Sequence, residues 1–335
     1  MSDSAARKLD DLDQLSDSAD GIGGYVAVPM ATLIQRKSSL SDLFLKMPSG
    51  KMLKVAHKGG AIDKDQLDRF GSKDVRYFYV HREDLALVST ELIRGAQVIS
   101  GMENIPVDIK TAKFLSIAET VYEELAKLPF TEEALGRALI ISNELATSLS
   151  ANSDLLKAMG AVVDLGEHFA RHSLGTVIMS NLIAKQLGWT SPKVISPLTI
   201  GAFFHDIGMK ELPPELLTKH RIDMTAKEIE LYETHPARGV AILNNFPVIT
   251  ADVLRIVQEH HEIPNGQGFP AHLRGERIYL PAKVVSLASV LAHDLFDVLP
   301  EDGVVDFDRV RLKIDSIYAT MYGSELTKAL KKIFI

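Results

Sequence analysis

No cysteine occurs in the 335 residues, which excludes disulfides, iron–sulfur clusters and thiolate zinc sites. No stretch approaches the ~20 apolar residues that a membrane helix requires. Basic charge is scarce: 37 Lys and Arg stand against 44 Asp and Glu, a net charge of -7. A chain of that sign has no general attraction to a nucleic-acid backbone or an anionic membrane, so neither is an expected partner. If the protein handles a phosphate compound, positive charge must come from a few side chains or from bound metal. The opening residues, MSDSAARKLDDLDQLSDSAD, lack the apolar core of a signal peptide. A cytoplasmic location is the expectation.

What is present is an ordinary globular composition, 46% apolar and 24% charged, over a length that suggests two domains. Residues 1–22 are rich in Ser and Asp and read as a disordered tail. A Gly-rich hinge follows at 21–24. YVAVP, LFLKM, MLKVA and VRYFYVH are then short β-branched or aromatic runs, with Pro48-Ser49-Gly50 as a turn between two of them. IDKDQLDRF (62–70) reads as a short helix. Residues 23–90 are thus expected to form a small α/β regulatory domain. From Ser89 onward the spacing is helical, as in KTAKFLSIAETVYEELAKL (110–128). The fold class expected is α+β, with 91–150 a helical connector and 151–335 an all-α domain. Thr225 and Glu228 fit a capping box at a helix start.

Nine of the eleven histidines fall between His168 and His293. Six of the nine stand in four motifs: HFARH with His168 and His172, HDIG with His205 and Asp206, HPARG with His235, and HHEIPNGQGFP with His260 and His261. The i, i+4 pair puts two imidazoles on one helix face. A lone helical histidine, an HP dipeptide or an HD pair is each ordinary by itself. Four in order within one helical region are not. His220 and His272 read as solvated loop residues. Imidazole with carboxylate suits iron, manganese, zinc or nickel. A pair of such ions can hold hydroxide between them and stabilise both the attacking and leaving oxygens of a phosphodiester.

With those motifs written out, HDIGMK, HPARG and HHEIPNGQGFP followed by AHLRGERI, residues 150–300 resemble the HD-GYP subset of the HD-domain phosphohydrolases, with GFP in place of GYP. The resemblance implies an HD-type helical domain with a buried centre of two transition-metal ions, iron or manganese. It implies His172, His205, Asp206, His235, His260 and His261 as ligands, with Asp206 bridging, and Glu262 orienting a ligand imidazole. It implies a loop of Asn265, Gly266, Gly268, Phe269 and Pro270 that shapes the pocket and contacts diguanylate cyclase domains. Asp206 and Lys210 would be catalytic, with Arg274 and Lys283 as candidate substrate cations. The implied activity is hydrolysis of cyclic di-GMP or a related cyclic dinucleotide by a metal-bridging hydroxide.

The departures from the family are specific. Asn265 replaces an Asp, Phe269 lacks the Tyr hydroxyl, and Met209 stands where the family has Lys, with Lys210 one position late. A slip of one residue turns a side chain about 100° around a helix. An ungapped count puts Ser289 where the family's last ligand aspartate belongs. A gapped alignment puts Asp294 there. His168 could fill the vacancy, with His293 a weaker candidate. The family's Arg-Pro-Tyr stretch corresponds here to DVLPEDG, without a basic residue. Two functional readings therefore stand side by side: a phosphodiesterase, or a metal-binding sensor or interaction module of weak or no turnover. A plain phosphomonoesterase of the wider HD class would not explain the GxGFP loop.

Overall fold

The computed structural model describes residues 24–33, 38–61, 69–71, 75–151, 160, 162, 165, 168–217, 219, 221–297 and 306–335; of His168 and Asp297 only the backbone is described. The expected tail at 1–22 and most of the expected helix at 62–70 lie outside the described residues.

Four strands, β1 (Tyr25–Pro29), β2 (Leu43–Lys46), β3 (Met52–Ala56) and β4 (Tyr77–His81), form one antiparallel sheet in the order β1-β4-β2-β3. The Pro48-Ser49-Gly50 turn closes the β2–β3 hairpin. Gly50 supplies φ +80°, and its N–H donates to the Met47 carbonyl at 2.8 Å. Alternation along the strands sorts the side chains. Val26, Val28, Phe78 and Val80 face the main core, while Ala27, Phe44 and Tyr79 form a small cluster on the other face.

Every later element among the described residues is helical, so the α+β class expected from the sequence is what the chain adopts. Helix α1 (Leu85–Ser100) buries Leu85, Val88, Leu92, Ile93 and Ala96, a helical stripe. It runs unbroken through residue 90, where the sequence pattern suggested a boundary. Helix α2 (Val107–Lys127) packs on β1 at one end and on the C-terminal helices at the other. Next come α3 (Glu132–Ala151), α4 (His168–Gln186) and α5 (Pro192–Phe204). Helix α5 is apolar from Leu198 to Phe204 apart from Thr199, and that part is buried where the helix packs on α3, α4 and α8. The remaining helices are α6 (Ala226–Tyr232), α7 (His235–Leu243), α8 (Ala251–Glu259), α9 (Leu280–Ala292), α10 (Phe307–Lys313) and α11 (Ser324–Phe334). The capping box at α6 forms as its sequence dictates: the Glu228 amide meets the Thr225 hydroxyl, and the Thr225 amide meets the Glu228 carboxylate. One apolar cluster includes Val26 of β1 and Phe334 of α11. No helix among the described residues is long and apolar enough to cross a membrane.

Candidate metal centre

Three of the motif histidines stand just beyond helix ends, and the helix ends orient them. The last turn of a helix leaves its carbonyls without intrahelical partners. His205 follows α5, and its Nδ1 lies 2.8 Å from the Ala202 carbonyl. His235 follows α6, with Nδ1 2.8 Å from the Tyr232 carbonyl. His260 follows α8, with Nδ1 2.7 Å from the Val257 carbonyl. A carbonyl only accepts, so each Nδ1 carries the proton. Each Nε2 of the neutral rings then presents a lone pair, as a metal ligand requires.

Those lone pairs converge on Asp206. Oδ2 lies 3.2 Å from His205 Nε2 and 3.7 Å from His172 Nε2. Oδ1 lies 3.3 Å from His235 Nε2 and 3.4 Å from His260 Nε2. Two ligand-competent sets result, His172–His205–Asp206 and Asp206–His235–His260–His261, and they share the one carboxylate. His235 and His260 point their Nε2 atoms at each other across 3.2 Å. With both Nδ1 protons committed to backbone, that approach needs a further proton or a cation between the rings. His205 Nε2, His261 Nε2 and Asp206 Oδ1 are buried and receive no hydrogen bond. Unsatisfied acceptors of this kind are costly to bury, and a metal satisfies all of them. The donor set fits the group.

The electrostatics agree with this. Burial, then the coulombic contribution of the neighbouring histidines, holds His261 well below the usual imidazole range. Burial lowers His260 to about 4, although Asp206 opposes it. For Asp206 burial pushes upward, but His205, His235 and His260 outweigh it and hold the carboxyl well below its usual range. Neutral imidazoles and an ionised carboxylate are the ligand forms of these groups.

Close approach of the motifs depends on glycine. A Cβ on Gly208 would lie 2.0 Å from the His235 carbonyl, so only glycine lets the HDIG turn seat against α7. A Cβ on Gly268 would lie 2.3 Å from the His261 carbonyl. Gly266 takes φ +82°, with the Arg274 side chain lying across it. Asn265 folds into the same loop by accepting from the Gln267 amide at 2.9 Å. Pro270 is exposed.

Several residues stand elsewhere than the sequence suggested. Lys210 does not face the cluster. Its Nζ donates to the Leu125 carbonyl and, at 3.0 Å, to the Leu128 carbonyl, where it caps the C-terminal end of α2. Glu262 does not orient an imidazole. Its two carboxylate oxygens accept the Ala271 and Leu273 amides at 2.6 and 2.8 Å and hold the loop in shape. Phe269 is not an open stacking surface: it is 6% exposed and stacks on His261 at 4.4 Å between ring centroids. Lys283 is half-buried on the first turn of α9.

Ser289 lies on α9 with its Oγ 3.2 Å from His172 Nε2, the position of the ungapped count. Asp294 sits in the π-turn after α9 and is engaged by Tyr318, by Lys313 at 2.6 Å and by Arg309 at 3.6 Å. His293 is exposed, and the side chain of His168 lies outside the described residues.

Three further residues at the centre carry no sequence motif. Tyr232 packs its ring 5.0 Å from that of His235. Its hydroxyl pKa is raised by burial and then by Asp206. Tyr122 reaches the centre from α2, and its hydroxyl is raised by the same two causes. The Arg221 guanidinium lies over the Phe269 ring at 5.4 Å. Tyr232 precedes His235 by one helical turn, a spacing that could have flagged it. Nothing in the sequence connects Tyr122 to residues so far along the chain.

A family model for the HD domain matches residues 142–294. Among curated proteins, the chain is 26% identical over 186 residues to a cyclic di-GMP phosphodiesterase of Thermotoga maritima, covering 54% of this chain and 48% of that protein. It is 24% identical over 179 residues to the cyclic di-GMP phosphodiesterase PA4108 of Pseudomonas aeruginosa, covering 52% of this chain and 42% of that one. The solved structure of Bd1817, a HDG"Y"P protein from Bdellovibrio bacteriovorus, superposes with a TM-score of 0.66 over 92% of this chain and 99% of that chain. At 21% identity that likeness is one of fold. The chain spans less than half the length of the two curated relatives.

Proposed function

From the premise that residues 142–294 are an HD domain of the HD-GYP kind, we propose that this chain is a metal-dependent phosphodiesterase of cyclic di-GMP or a related cyclic dinucleotide. The observation that carries the reading is the sharing of Asp206 between two histidine sets, in which His205, His235 and His260 turn Nδ1 to backbone carbonyls and Nε2 to the carboxylate. His172 and His205 with Asp206 would hold one ion, and Asp206 with His235, His260 and His261 a second. The seventh ligand is His168 or Ser289. A nitrogen and oxygen donor set without sulfur selects iron or manganese. Metals bound there let water lose a proton near neutral pH and neutralise charge on the phosphate. Glu262 keeps the 262–270 loop folded beside the centre, and Tyr232 and Phe269 exclude water from the His235–His261 side.

The sheet unit at 23–90 regulates the helical domain in this reading, with 91–150 as connector, and the protein works in the cytoplasm. The 262–270 loop is also the contact for diguanylate cyclase domains. The decisive experiment is metal analysis of untagged protein paired with a cyclic di-GMP hydrolysis assay. About two iron or manganese ions per chain with linear product formed is the expected result. Clearly less than one ion after reconstitution removes the reading.

Two observations favour a second reading, a cyclic di-GMP sensor with little turnover. Lys210 is committed to the α2 carbonyls, and Ser289 rather than an acid faces His172. Loss of one cationic or hydrogen-bonding donor to the reacting oxygens typically costs about 100- to 1000-fold in rate. Retained ligand binding with undetectable product would decide for the sensor.

A further inference from the structure

We propose that Arg221 is the residue that binds the second phosphate of a cyclic dinucleotide, the one not undergoing cleavage; the assignment rests on the cyclic-dinucleotide reading above. A diester in which two phosphates share one ring needs two anion sites, and the metals account for one. Several cations near the centre are already committed. Lys210 bonds the α2 carbonyls, and Lys219 bonds both carboxylate oxygens of Glu228. Arg238 bonds Thr234 and Glu211.

Arg221 is paired too, but it is more exposed than Lys219 or Arg238. Among the described residues its ion pair is with Glu233, and the two side chains are 53% and 30% exposed. An exposed pair of this kind is worth little and exchanges readily for a better anion. The guanidinium fork matches a phosphate in two hydrogen bonds, which an ammonium cannot do.

Its place against the Phe269 ring, rather than among the ligand imidazoles, assigns it to the second phosphate. Phe269 stacks on His261 at 4.4 Å, and the Arg221 guanidinium lies 5.4 Å from the same Phe269 ring. Arg221 is therefore within about 10 Å of the His261 ring, with an aromatic ring intervening. A guanidinium on that side of the ring stack is within reach of the next phosphate around the macrocycle from one held at the ligand cluster. Ile222, next in the chain, is 93% exposed.

The test is equilibrium binding of cyclic di-GMP to the metal-loaded protein, with kcat and KM wherever product forms. Arg221→Ala should weaken binding, or raise KM, by about 10- to 100-fold, as expected for one charged hydrogen-bonding contact. Its metal content should match wild type, Arg221→Lys should fall between, and Glu233→Gln should bind more tightly. For bis(p-nitrophenyl) phosphate, which has one phosphate, Arg221→Ala should change KM only a few-fold. Equal binding by wild type and Arg221→Ala overturns the assignment. So does a loss that follows Lys283→Ala instead, or an equal loss for both diesters. Failure of metal-loaded wild type to bind cyclic di-GMP overturns the reading of function itself, and the assignment with it.

Discussion

Asp206 offers one oxygen to each histidine set, and that division of labour is open to measurement. Asp206→Ala should strip both ions, whereas His235→Ala should remove mainly one. Metal content by mass spectrometry after gel filtration separates the two, and equal losses would mean that Asp206 is no bridge. Ser289 invites the converse substitution. Its Oγ is 3.2 Å from His172 Nε2, so Ser289→Asp places a carboxylate where a neutral hydroxyl stands. Tighter retention of metal against a chelator is the expected outcome, and faster loss would show that the site rejects the added charge. Lys210 makes a structural prediction instead. Removing its ammonium in Lys210→Met leaves the terminal carbonyls of α2 without their cation. A loss of about 1–2 kcal/mol in urea unfolding is expected, with metal content unchanged.

At the scale of elements, the centre is assembled by helix ends meeting at glycine. The HDIG turn after α5 seats on the start of α7 because Gly208 has no side chain. An added methyl would press on the His235 carbonyl and the Gly239 amide, both backbone, which cannot swing aside. Gly208→Ala should therefore destabilise by about 1–3 kcal/mol, the ordinary cost of overpacking, and should displace His235 from Asp206. Thermal unfolding with and without manganese checks it: the variant should lose most of the metal-induced rise in Tm that wild type shows. A wild-type rise retained in full would mean that the turn accommodates the methyl. Helix α2 acts at this scale too. It packs on β1, its C-terminal end is capped by Lys210, and its Tyr122 feels the Asp206 charge.

For the molecule as a whole, the buried ligands set a pH response. His260 is held at about 4, below its ordinary 6.5, so the unfolded chain takes up a proton before the folded one does. Stability of the metal-free protein should be full above about pH 6.5 and should decline as pH falls toward about 4. The His260 contribution is on the order of 3 kcal/mol, at ~1.36 kcal/mol per pKa unit. Asp206, also depressed, acts in the same direction at lower pH. Metal release should follow the same descent, because the ligands bind only when deprotonated. Urea midpoints for chelator-treated protein at intervals from pH 7.5 to 4 test this, and a flat profile across that window would refute it.

The histidine motifs, the α+β class, the PSG turn and the Thr225 capping box were legible in the residues because each depends on local chemistry. Imidazole at helical spacing, β-branched alternation, a glycine at positive φ and an N-cap hydroxyl act within a few residues of themselves. The ungapped count pointed to Ser289, whose Oγ lies 3.2 Å from His172 Nε2, because helical spacing fixes which residues share a face. What only the tertiary structure decided concerns partners far apart along the chain. Lys210 lies one residue from a family position, yet its ammonium went to the end of α2, because unpartnered carbonyls there compete for it. Glu262 turned to loop amides rather than to an imidazole for the same reason. Phe269 was covered by His261 and Arg221. Tyr122 came within the field of Asp206 only because α2 packs against the helices that bear the ligands. Burial and long-range hydrogen bonding assign such groups after the chain has folded, and no local pattern records them.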